Sequence, residues 1–78
     1  MLLHAFLLRG CPYSQSLARV LRPYPHVKKH WVNHESDAYS RYKEKYNHPT
    51  YPIVVLQEND EFITVGGYTD FMKYHHQM

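Results

Sequence analysis

The chain has 78 residues, which is one domain at most and close to the lower limit for a self-sufficient core. Nine Lys and Arg stand against seven Asp and Glu, a formal charge of +2 that is too near balance to argue for a polyanionic partner. A single Cys excludes an intramolecular disulfide and hence a disulfide-stapled fold, and no apolar run reaches the length of a membrane span.

Leu2 to Leu8 reads as a strand, short, largely apolar and bounded by Arg9 and Gly10. Its near-continuous hydrophobicity suits a central strand covered on both faces. A signal peptide is not expected, because a positive leader and a small-residue cleavage site are both missing. Pro12 is placed for the first turn of a helix, where its absent N–H costs nothing. Leu17, Ala18, Val20 and Leu21 then crowd one side until Pro23 and Pro25 stop the pattern. Val27 to Val32 is a second strand, interrupted by Lys28 and Lys29. Ser36 or Asp37 caps a second helix, in which Ala38, Tyr39, Tyr42 and Tyr46 recur at helical spacing. Asn47-His48-Pro49 ends it.

Pro52 to Leu56 is strongly β-prone, Glu58-Asn59-Asp60 is a polar turn, and Phe62 to Val65 returns as the second arm of an antiparallel hairpin. Gly66-Gly67 breaks the strand, and Thr69 or Asp70 caps a short last helix through Phe71, Met72 and Tyr74. The order β-α-β-α-β-β-α predicts one α/β domain over residues 1–78, a central mixed four-stranded sheet flanked by helices.

Cys11 follows an apolar strand and immediately precedes a helix. First-turn N–H groups lack intrahelical partners, and their partial positive charge favours a thiolate there. Arg9 adds a nearby cation, and Gly10 lets the loop turn. Position alone is also compatible with an inert, buried Cys. Likewise Pro52 can be an ordinary trans proline at a strand start, Gly66-Gly67 a simple strand terminator, and Thr69 and Asp70 plain caps.

Three stretches in order change that balance. Cys11-Pro12-Tyr13-Ser14 resembles the Cys-Pro-Tyr-Cys tetrapeptide of glutaredoxins, with Ser in place of the second Cys. Thr50-Tyr51-Pro52 resembles the Thr-Val-Pro stretch, whose proline is cis and faces the reactive cysteine. Gly66-Gly67-Tyr68-Thr69-Asp70 resembles the Gly-Gly-x-x-Asp stretch that helps hold glutathione. The resemblance spans nearly the whole chain and implies a thioredoxin-like fold and a glutathione-dependent thiol–disulfide oxidoreductase.

Glutathione is implied as cosubstrate, and glutathionylated or disulfide-containing proteins as partners. By this resemblance Cys11 is the nucleophile; Ser14 departs from the family's second Cys, but its hydroxyl is able to donate a hydrogen bond to the Cys11 sulfur. The groove takes Pro52 and Gly67, with the Tyr51 backbone pairing with the cysteinyl part of the tripeptide. The Tyr68 and Thr69 backbone and the Asp70 side chain hold its γ-glutamyl end. Tyr13 forms a wall, Tyr51 places a large side chain beside the groove, and Arg9, Lys45 or His48 meets the glycine carboxylate. Ser14 closes the dithiol route as the chain stands, although a parent protein with Cys in its place would have it.

Two other functions are compatible with these residues. One is an iron–sulfur carrier sharing a cluster between protomers, which Pro12 and Tyr13 disfavour. The other is a noncatalytic thioredoxin-fold binding domain. The seven His show no zinc spacing with the lone Cys, and His75-His76 reads as a solvated terminus. No metal, nucleic acid or membrane partner is expected. A monomer in the cytoplasm, a reducing compartment that keeps a lone thiol free, is expected.

Overall fold

The computed structural model describes residues 2–76, with side chains through residue 75. Its elements are β1 (Leu2–Leu8), α1 (Pro12–Val20), β2 (Val27–Val32), α2 (Asp37–Lys45), β3 (Ile53–Glu58), β4 (Glu61–Gly66) and α3 (Tyr68–His76). The sheet order is β2-β1-β3-β4, with β1 parallel to β2 and antiparallel to β3, and β3 antiparallel to β4. This is the thioredoxin fold in the element order of glutaredoxins.

Strand periodicity sorts the core into two layers. Leu3, Ala5 and Leu7 of β1 turn to one face and pack with Leu17, Leu21, Val54 and Phe71, beneath α1 and α3. Phe6 and Leu8 turn to the other face and pack with Val32, Ile53, Val55, Tyr46 and Tyr51, beneath α2. β1 is therefore central and covered on both faces. The two lysines that break β2 belong to an edge strand, where both side chains are exposed and discourage pairing with another chain. α2 has no fully buried residue, and its face is covered with rings: Tyr42 on the helix and Tyr46 at its C-cap lie 4.4 and 5.0 Å from Phe6, centroid to centroid.

Two local outcomes differ from expectation. α3 begins at Tyr68, so neither Thr69 nor Asp70 precedes it. Instead Asp70, in its first turn, reaches back and accepts a hydrogen bond from the Gly67 N–H at 3.2 Å. His75 is not a solvated residue: its Nδ1 meets the Tyr24 hydroxyl, and its ring stacks on Phe71. The side chain of His76 lies outside the described residues. The histidines of the sheet also converge. His4 Nε2–H donates to Gln57 Oε1 at 2.8 Å, which leaves His4 Nδ1 to accept from His30 Nε2–H at 3.1 Å. Burial, then the neighbouring His4 and Lys28, lowers the His30 pKa from 6.5.

Candidate active site

Cys11 is the N-cap residue of α1, in extended conformation (φ −91°, ψ 119°), and its thiol is half-buried and free. Its N–H donates to Leu8 O at 3.2 Å, and its carbonyl accepts from Gln15 N–H at 3.1 Å, so the first helical turn starts at this residue. Gly10 makes the turn possible with φ +83°. Pro12 supplies no N–H, which leaves the Tyr13 and Ser14 N–H groups without an intrahelical acceptor at the end where Cys11 sits.

Ser14 is fully buried, and its Oγ accepts a hydrogen bond from Leu8 N–H at 3.0 Å. The bond it makes is thus to the strand end rather than to the Cys11 sulfur. The reason lies in the sheet: pairing of β1 with β3 ends at Phe6 opposite Ile53, so the Leu8 N–H has no strand carbonyl to meet. Ser14 supplies the missing acceptor and fixes the start of α1 to the end of β1.

The turn after α2 places the next group. Asn47 takes the left-handed conformation (φ 50°), and the N–H groups of Asn47 and His48 close onto Glu44 O and Lys43 O. His48 Nδ1–H then donates to Thr50 O at 2.7 Å, which fixes the ring and leaves Nε2 open. Its ring lies against Gly67, where an added Cβ would stand 3.4 Å from His48 Cε1 and 3.5 Å from Pro52 O. The Tyr51–Pro52 peptide bond is cis, as the resemblance implied. Gly66 has φ +129°, and any Cβ there would fall 2.7 Å from Asp70 Cβ. Glycine is required at this position for Asp70 to reach Gly67.

These segments surround one cavity of about 230 Å³, lined by Tyr13, His48, Thr50, Tyr51, Pro52, Gly67, Tyr68, Thr69 and Asp70. The rings of Tyr13 and Tyr68 face each other at 5.9 Å. Cys11 is outside that lining and precedes Tyr13 by two residues. Three sequence readings change. Arg9 lies over the Trp31 ring at 5.8 Å, and Lys45 lies over the Tyr46 ring at 5.3 Å, so neither lines the cavity. The Tyr51 side chain does not crowd the groove. It turns into the core, stacks on Tyr39 at 5.3 Å, and donates its hydroxyl to Tyr39 O at 2.7 Å. Burial, with Tyr39 and Tyr42 alongside, raises its pKa to about 12. Thr50 joins the lining, although the sequence marked it only as part of a motif.

No protein-family profile matches the chain, and no curated protein matches it significantly. The structure itself carries the assignment: a thioredoxin fold whose Cys11-Pro12-Tyr13-Ser14 loop opens α1, consistent with a monothiol glutaredoxin-like site. Fold and loop together point to a thiol-redox role of the glutaredoxin type.

Proposed function

We propose that the chain is a glutathione-dependent oxidoreductase that reduces protein–glutathione mixed disulfides through Cys11 alone. The observation that carries this reading is the convergence of Tyr13, the cis-Pro52 turn and the Gly67–Asp70 stretch on one cavity beside the thiol at the α1 start. The Tyr51 backbone beside the cis peptide bond suits pairing with the cysteinyl residue of the tripeptide. Asp70 and the Tyr68 and Thr69 backbone suit its γ-glutamyl end. His48 is the one lining side chain able to carry a positive charge, and with Arg9 and Lys45 elsewhere it takes the glycine carboxylate.

In the first step the Cys11 thiolate attacks the glutathionyl sulfur. A Cys11–glutathione disulfide forms, and the substrate thiolate leaves and takes a proton from water. In the second, a glutathione thiolate attacks that disulfide, releasing oxidised glutathione and restoring the Cys11 thiolate. Ser14 supports the cycle by holding the helix start in place. The protein acts as a monomer in a reducing compartment such as the cytoplasm. No helix among the described residues is long and apolar enough to cross a membrane.

Intact mass after incubation with oxidised glutathione, followed by turnover of a glutathionylated protein, tests the proposal. One rapid adduct at Cys11, reversed by reduced glutathione, is expected. Modification that occurs only after unfolding would leave a noncatalytic binding domain instead.

A further inference from the structure

A second groove, of about 410 Å³, runs between α1 and the edge strand β2. Gln15, Ala18, Arg19 and Arg22 line one wall, and Lys29 and Trp31 line the other. The register explains the second wall. Lys29 and Trp31 pair with Ala5 and Leu7, whose side chains lie in the layer beneath α1, so both face the helix. Arg9 adds a fourth cation above the Trp31 ring. The three lining cations are exposed, and among the described residues none is held by a carboxylate. Trp31 remains 40% exposed despite its size. The sequence sharpens this asymmetry: all seven carboxylates follow residue 34, whereas five of the nine Lys and Arg precede it. Folding gathers four of those five at one groove.

From this clustering we infer that the groove docks a short acidic segment of a partner polypeptide, its carboxylates on Arg19, Arg22 and Lys29 and an apolar side chain on Trp31. Arginine forks match carboxylates in pairs, and a half-exposed indole offers an apolar platform beside them. From Gln15 in α1 to Arg22 just past its end the wall is about 10 Å long, so about three extended residues lie along it and the rest of the segment crosses to Lys29 and Trp31 on the facing wall. A nucleic acid fits less well. One aromatic ring gives no stacking row, and a long polyanion would run from this patch onto the acidic remainder of the surface. The groove also begins one helical turn from the thiol, since Gln15 N–H is bonded to Cys11 O. Under the proposed function, on which this step rests, the docked segment flanks the partner's own modified cysteine.

Trp31 is the only tryptophan, so its emission reports occupancy directly. The probe is a cysteine-free octapeptide of Glu, Asp and Leu, compared with its Gln, Asn and Leu counterpart. The acidic peptide is expected to shift Trp31 emission saturably and to weaken at least about tenfold between low salt and about 0.2 M salt. The Arg19→Gln/Arg22→Gln variant, with unchanged melting temperature, is expected to lose about tenfold in affinity. An equal response to the amide peptide, or unchanged affinity in the variant, overturns the inference. So does an oligothymidine that binds more tightly with the same dependence on Arg19 and Arg22. In a second arm the same variant turns over a glutathionylated peptide with an acidic flank more slowly, and a small glutathione mixed disulfide at the original rate. If no form of the protein turns over either substrate, the proposed function fails, while the cysteine-free titration still decides the groove.

Discussion

Replacing Ser14 by Ala separates two roles for the fourth residue of the active loop. Ser14 Oγ is the acceptor for a buried strand-end N–H, 3.0 Å away, that the sheet leaves unpaired. Its removal leaves the Leu8 N–H without a partner, a cost of about 1–3 kcal/mol. Alanine recovers about 0.5 kcal/mol through its better helix propensity, so the net loss is about 0.5–2.5 kcal/mol. For a domain of this size each kcal/mol lowers the melting temperature by about 4–8 °C. Thermal unfolding followed by circular dichroism is therefore expected to shift down by about 2–20 °C. Under native conditions the Cys11 alkylation rate is expected to hold, because the bond that disappears is at the strand end rather than at the sulfur. Unchanged stability combined with a collapse of the alkylation rate would refute this reasoning and return Ser14 to the thiolate.

Two further predictions come from shifted ionisations. His30 is held neutral by burial and by His4 and Lys28, so the unfolded chain takes its proton near 6.5 while the folded ring waits for a lower pH. Its contribution to stability is complete above that value, and it falls as pH drops from 6.5 through the folded pKa and then levels off. Urea midpoints on either side of this window are expected to differ, with the difference reduced in His30→Gln; identical midpoints would contradict it. Tyr51 is expected to stay un-ionised until about 12 in a near-ultraviolet absorbance titration. Tyr51→Phe removes that high-pH component and costs about 1 kcal/mol for the lost hydroxyl bond; a titration curve unaltered by the substitution would show the ring to be solvated.

The element order was legible because its signals are local. The run from Leu2 to Leu8, Pro12 after Cys11, Pro23 and Pro25, and Ser36 before α2 each fix a boundary through their own backbone chemistry. The start of α3 was not, since Gly67, Tyr68, Thr69 and Asp70 all tolerate a helix end and only the Asp70 bond to Gly67 decides among them. Most of the cavity lining could be read from three motifs. Arg9 and Lys45 could not be placed, because adjacency to a motif says nothing about which side of the backbone a long side chain takes, and each found a ring elsewhere. The bond between His4 and His30 joins residues 26 apart and depends on strand register. Trp31 and Arg22 likewise meet only once β2 lies beside β1 under α1.

A single thiol places a particular demand on this surface. Under the proposed function the Cys11 adduct meets no second cysteine, since Cys11 is the chain's single Cys, and the thiol that completes the cycle arrives from solution. A partner held on the protein must therefore leave the proposed tripeptide cavity open. The two grooves meet this requirement, because the cavity and the basic groove share no lining residue. The first draws on Tyr13 and the segments that follow α2, the second on the outer side of α1 and on β2. Under the proposed function, a partner anchored at Arg19 and Arg22 thus presents its cysteine to Cys11 while His48, Pro52 and Asp70, the proposed glutathione contacts, stay accessible.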